Sequence, residues 1–258
     1  MVKFGIGAIH VIESLSANDL KTGTALSTVL PPLVQGAVDI EICFHTCGSA
    51  AEMNATLSRI ESHVRKTGRP PVLHFETHGA VDETKTKAIG LSLANGDVVE
   101  WVRLKPALAA INVASRMNLL VIAQACIGLD LSFVFDDVCR RAAAWGVMGP
   151  TRLLSPPEIH AANRVFYEEL VQSLDGGVAL RRTQQRVPHT YAVTLAEELF
   201  LGAFEREIRR RPQTIPILRD IFHGARREFF FIDLCPDHEA RFPVGFETLV
   251  GRAIQGEP

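Results

Sequence analysis

The 258-residue chain lacks an excess of charge of either sign: 27 Lys and Arg stand against 29 Asp and Glu, a formal net charge of −2. No global field draws it to nucleic acid or to an anionic membrane, so direct nucleic-acid binding is not expected. It lacks any run approaching the roughly 18 apolar residues of a spanning helix. Its first residues, Met1-Val2-Lys3-Phe4-Gly5, lack the basic, apolar and small-residue order of a signal peptide. The expectation is a cytoplasmic protein that does not enter a membrane. Cysteine is scarce. The five, at 43, 47, 126, 139 and 235, are an odd number scattered over a long chain, which argues against a disulfide framework and for free thiols. Cys43, His45 and Cys47 could seed a metal site, but the second ligand cluster is missing, so no metal is expected and strand-end packing is the plainer reading. There is no internal repeat, no low-complexity linker and no phosphate loop, since Gly5-Ile6-Gly7 falls within the first predicted strand and lacks a third glycine.

What is present is a globular composition, 47% hydrophobic and 22% charged, sufficient for the core of one large domain. Strands alternate with helices, which predicts an α/β fold with a mostly parallel sheet. Residues 4–12 read as a first strand. Val38, Ile40, Ile42 and Phe44 alternate with Asp39, Glu41 and Cys43, so a second strand with one polar face lies near a sheet edge. Ser49-Ala50-Ala51-Glu52 is a capping box opening a helix whose Met53, Leu57, Ile60 and Val64 share a face, ended by Gly68 and Pro70. Residues 71–77 predict a third strand, Gly90 to Leu93 with Asn95-Gly96 a hairpin, and residues 108–116 a short helix. Residues 119–123 are apolar throughout, the mark of a central parallel strand. A helix over 133–144 and a short strand around Val147 follow. The capping box Ser155-Pro156-Pro157-Glu158 then starts a helix that Gly176-Gly177 closes. Beyond about residue 190 come helices over 194–211 and 215–227 and an apolar strand over 229–234. Arg209-Arg210-Arg211 falls at a helix end, where cations complement the dipole.

In open parallel sheets, reactive groups collect at the carboxyl ends of strands. Two predicted strands end in such groups: one runs through Glu76-Thr77 into His78-Gly79, the other through Gln124-Ala125 into Cys126-Ile127-Gly128. Singly, such a histidine is an ordinary hydrogen-bonded residue and such a cysteine ordinary packing. If the strands are parallel neighbours, an imidazole and a thiol meet at one sheet edge from adjacent loops, the arrangement of a Cys–His hydrolase. The thiol is a nucleophile partly ionised near neutrality, and the imidazole can protonate a leaving amine. Glycine after each lets the backbone approach a substrate. The expected oxyanion donors are the N–H groups of Gly79 and Cys126.

Gln124-Ala125-Cys126-Ile127-Gly128, with His78-Gly79 starting 48 residues upstream of the cysteine, resembles the paired signature of the caspases. Ile127 departs from the residues usual at its place, which points away from the animal enzymes. Residues 70–185 resemble more closely the bacterial caspase-like peptidases of the CHAT type, in the wider caspase–separase–gingipain clan. The segment from Gly90 to Gly96, the strand Gly146-Val147-Met148-Gly149, and the helix with Phe166-Tyr167 followed by Gly176-Gly177-Val178-Ala179-Leu180 support it. The strand–helix order from residue 4 to 68 fits the same fold. The resemblance implies a caspase-like three-layer sandwich, a mostly parallel central sheet flanked by helices, over residues 1–190, with 191–258 as a helical and strand extension of the same domain.

That resemblance implies a cysteine endopeptidase, a thiol protease hydrolysing peptide bonds without metal or organic cofactor. Cys126 would attack the scissile carbonyl and His78 protonate the leaving amine. It implies a regulated cytoplasmic protease of bacterial antiviral defence or programmed cell death, acting on a protein substrate. Because the residues beyond the core are too few for a self-contained sensor, control is expected from an activating partner protein, self-association or loop cleavage. For the substrate pocket, basic-specific relatives carry an acidic residue where this chain has Leu154-Ser155-Pro156-Pro157-Glu158, making Ser155 and Glu158 candidates, although the capping box already accounts for both. Lys21-Thr22-Gly23-Thr24 resembles the segment where caspases place a pocket arginine, and Gln124 matches a caspase pocket residue. A cation at Lys21 would favour an acidic substrate residue. The alternative is a catalytically silent caspase-like interaction module, against which the intact Cys/His pair stands. A nucleotide-binding α/β domain is a third reading, with no phosphate loop to support it.

Overall fold

A computed structural model describes residues 5–35, 39–84, 87–135, 140–187, 191–230 and 245–255. Its centre is an eight-stranded sheet. Six strands form the main path: β1 (Ala8–Ser14), β2 (Glu41–Thr46), β3 (Pro71–Val81), β6 (Leu120–Gln124), β7 (Gly146–Pro150) and β8 (Tyr191–Leu195), in the order β2-β1-β3-β6-β7-β8. All neighbours on this path are parallel except β7 and β8. The short β4 (Ala88–Ser92) and β5 (Val98–Glu100) form a hairpin added to the far end of β3.

Side-chain alternation along the strands sorts the core into two layers. On one face, Ile9, Val11, Val72, Leu120 and Ile122 pack against α1 (Thr22–Val34), α4 (Pro156–Ser173) and α5 (Gly176–Arg186). On the other, Ile12, Leu73, Phe75, Val121 and Ala123 meet α2 (Ala50–Thr67) and α3 (Trp101–Ala114). The apolar cluster of that second face continues into α6 (Ala196–Arg210), α7 (Ile215–Phe229) and α8 (Phe246–Gln255). There Phe200 lies 5.1 to 5.3 Å, ring to ring, from Phe204, Phe222, Phe229 and Phe230. Each fully buried ring contributes about 1.5–3 kcal/mol. The arrangement is a three-layer α/β sandwich, with the mostly parallel sheet that the sequence pattern predicts. No helix of the described residues is long and apolar enough to cross a membrane.

Local chemistry accounts for the boundaries. The Ser49 side chain accepts from the Glu52 N–H at the start of α2, and Gly68 closes that helix at φ +69. β2 is an edge strand with partly exposed residues, and β6 is buried at each of its five positions, as their alternating and continuous apolar patterns require.

Several expectations need correction. β1 starts at Ala8, so Gly5-Ile6-Gly7 precedes the strand, and the Gly7 N–H donates to the Pro70 carbonyl. β3 does not stop at Thr77. It leaves β6 after Glu76 and pairs antiparallel with β4, His78 opposite Ser92 and Gly79 opposite Leu91, which gives its backbone groups partners beyond the parallel ladder. α3 begins at Trp101, seven residues before the predicted start, with Pro106 inside it. A 3-10 helix spans Gly128–Phe135 instead of the predicted helix over 133–144. Residues 140–144 are not helical, because Ala142 is tied by its N–H to Phe229 and by its carbonyl to Asn112; residues 136–139 lie outside the described residues. Gly176-Gly177 open α5 rather than close α4: α4 ends at Ser173 with Leu174 at φ +51, and Asp175 caps the Gly177 and Val178 N–H groups at 2.8 and 3.2 Å. Phe229 ends α7, whereas residues 231–234 of the predicted strand, like Cys139 and Cys235, lie outside the described residues. Lys21 is the residue preceding α1, a helix the sequence pattern did not indicate.

Candidate active site

The register of the two central strands brings the reactive residues to one level. β3 pairs with β6 from Val72 opposite Leu120 to Glu76 opposite Gln124, a constant offset of 48 residues. His78 and Cys126, also 48 apart, each lie two residues beyond the last pair. They line one cavity of about 260 Å³ at the carboxyl edge of the sheet, together with Glu76, Gln124, Thr77 and Ala125. Its remaining wall is Leu15, Asp19, Leu20 and Thr22 on one side, leading into α1, and Leu154, Pro156 and Ile159 on the other, at the start of α4.

The backbone around Cys126 is tightly determined. A Cβ on Gly79 would lie 2.3 Å from the Cys126 carbonyl oxygen and 3.1 Å from its nitrogen, so only glycine lets the two main chains meet. Ala125 to Gly128 form a turn closed by the Gly128 N–H on the Ala125 carbonyl at 2.8 Å, with Ile127 at φ +55. A β-branched residue in the left-handed region is strained. Gly128 is equally constrained, since a Cβ there would meet the Ala123 carbonyl oxygen at 2.1 Å. The strained turn holds the cysteine, half-buried, at the cavity wall.

His78 has a partner that sequence reasoning missed. Its Nε2 lies 3.1 Å from Asp19 Oδ2, and its side chain is 57% exposed. Asp19 is held in turn by the Ser16 N–H at 2.7 Å. Hydrogen bonds from Ser16, and then from His78, lower its carboxyl pKa to about 2. Beneath this pair runs a buried polar chain, also missed. Tyr191 Oη donates to Gln124 Oε1 at 2.7 Å, Gln124 Nε2 to Asn163 Oδ1, and Asn163 Nδ2 to Glu76 Oε1 at 2.9 Å. Thr22 Oγ1 donates to Glu76 Oε2 at 2.6 Å, and His74 bridges Glu76 and Tyr167, both at 2.8 Å. The available signal was the polar alternation of His74, Glu76 and His78 along an otherwise apolar central strand.

Of the candidate pocket residues, Gln124 lines the cavity and Lys21, Ser155 and Glu158 do not. Lys21 Nζ donates to the Leu15 carbonyl. Glu158 accepts from the Ser155 N–H at 2.9 Å and from its hydroxyl at 2.7 Å, and pairs with Arg152 at 2.7 Å. Arg152, followed by Ser155, holds its pKa near about 2. Capping accounts for both residues, as their spacing suggested.

Further cavities lie apart from Cys126, and two of them bear on the residues discussed above. The larger, about 450 Å³, is bounded by Ile89, Trp101, Val102 and Phe133. The smaller holds His10, Cys43, His45, Arg59, Ile60 and His63. Cys47 is separate from that group, donating its Sγ–H to Thr56 Oγ1 at 3.4 Å. Among the described residues no three His, Cys, Asp or Glu side chains are arranged to hold a metal ion, and Cys43, Cys47 and Cys126 are free thiols.

No protein-family model and no curated protein matches the chain.

Proposed function

We propose that this protein is a cysteine endopeptidase with Cys126 as nucleophile and His78 as its acid and base, the activity that its resemblance to the bacterial caspase-like peptidases implies. The observation that carries the reading is the shared cavity: thiol and imidazole line one pocket at the carboxyl edge of paired parallel strands, with Gly79 packed on the Cys126 backbone. In the first step the Cys126 thiolate attacks the scissile carbonyl carbon, and the imidazolium of His78 gives its proton to the departing amine. The neutral imidazole then takes a proton from water, whose hydroxide displaces the thiolate from the acyl carbon and releases the carboxylic acid. The tetrahedral oxyanion of each step is received by the N–H groups of Gly79 and Cys126. Asp19 orients His78 and stabilises its protonated form, acting as a positioning residue.

The family resemblance adds a bacterial antiviral-defence or cell-death role in the cytoplasm, with a protein substrate and an activating partner or self-association. Comparing proteome cleavage products of the wild type with those of Cys126→Ala tests the reading. New chain termini confined to the wild type are expected; an equal set from a folded Cys126→Ala protein would refute it.

A further inference from the structure

The cavity beside Cys126 has a charged floor and apolar walls. Leu15, Leu20, Leu154, Pro156 and Ile159 form much of the wall, and Glu76, only 1% exposed, belongs to the floor. His74 Nε2 lies 2.8 Å from Glu76 Oε1, and its Nδ1 lies 2.8 Å from the Tyr167 hydroxyl. Thr22 and Asn163 supply the other hydrogen bonds. No Lys or Arg pairs with Glu76 among the described residues, and the nearby cations are engaged elsewhere: Lys21 on the Leu15 carbonyl, Arg152 on Glu158. A buried carboxylate with no Lys or Arg partner is a ready acceptor for a cationic guest. Asp19 adds a second carboxylate to the wall.

We propose that this cavity binds the cationic side chain of an arginine or lysine residue, with Glu76 as the specificity-determining group. The apolar walls suit the aliphatic stem, and Glu76 has a remaining lone-pair position for a charge-assisted hydrogen bond from the head group. The proposal rests on the peptidase reading for one point, that the guest is the residue preceding the scissile bond. It reverses the acidic preference that a pocket lysine at position 21 would give.

Calorimetry with the wild-type full chain tests the cavity without requiring cleavage, using N-acetyl-arginine amide against its neutral isostere N-acetyl-citrulline amide. Arginine should bind about 10- to 100-fold tighter, and Glu76→Gln should bring the two within about twofold of each other. Equal affinities, tighter binding of N-acetyl-aspartate amide, or no binding of any of the three overturns the proposal. The ligand comparison on the wild type stands if Glu76→Gln fails to fold. A series of peptide electrophiles ending in Arg, Leu or Asp separates the two readings through labelling of Cys126. Labelling by the Leu or Asp probe but not the Arg probe keeps the peptidase and overturns the basic pocket. Arginine-selective binding with no labelling by any probe supports the pocket and overturns the peptidase.

Discussion

Asp19 Oδ2 lies 3.1 Å from His78 Nε2, so the imidazole that shares a cavity with Cys126 is itself held by a carboxylate. Asp19 comes from the segment before α1 and is fixed by Ser16, whereas His78 lies on β3 where that strand leaves the parallel ladder. The relation joins a loop to the end of β3 that carries His78.

Asp19→Asn should lower kcat for peptide hydrolysis by about 10-fold or more, because the charge that orients His78 is lost. The carboxyl pKa is depressed to about 2 from 3.8, so the carboxylate that holds His78 is fully present above about pH 4 and is lost as pH falls through about 2. Steady-state kinetics at pH 7 check the first claim. An unchanged kcat would remove Asp19 from the site.

Gly79→Ala should damage the site more than its size suggests. The added Cβ would lie 2.3 Å from the Cys126 carbonyl oxygen, a clash with backbone that no rotamer relieves. We expect destabilisation of about 1–3 kcal/mol in urea unfolding, with loss of Cys126 labelling in the folded protein. Wild-type stability and labelling would show that the two main chains are not in contact.

His10 should make stability depend on pH. Burial, and then His45 and His63, depress its pKa from 6.5 to about 4, so the unfolded chain takes up a proton that the native ring refuses. Stability is therefore fully present above about pH 6.5, declines as pH falls toward 4, and levels off below it. His10→Asn should flatten that decline by roughly 2–3 kcal/mol across the window. Urea midpoints at a series of pH values measure it, and an unchanged slope would contradict the assignment.

Much of the site was legible because its spacing is a register. The offset of 48 residues between His78 and Cys126 repeats the offset of each pair from Val72–Leu120 to Glu76–Gln124, and continuous apolar character marked β6 as a central strand. The Ser49 and Ser155 caps were readable for the same reason, being local chemistry. Non-local features were not readable. Nothing near Asp19 in sequence announces His78, and the partners of Glu76 come from α1, β3 and α4. α1 was hidden by Pro31 and Pro32 inside it, although Leu26, Leu30 and Val34 are its buried stripe. Gly176-Gly177 read as a stop because glycine usually closes helices, but the Asp175 cap turned it into a start.

The rate of Cys126 alkylation by iodoacetamide at pH 7, in the wild type and in His78→Ala, tests the pairing of thiol and imidazole most directly. Alkylation of Cys126 should slow by at least about 10-fold in His78→Ala, whereas Cys43, whose thiol burial and Glu41 push up to about 11, should stay slow in both proteins. A Cys126 alkylation rate untouched by His78→Ala would contradict the pairing.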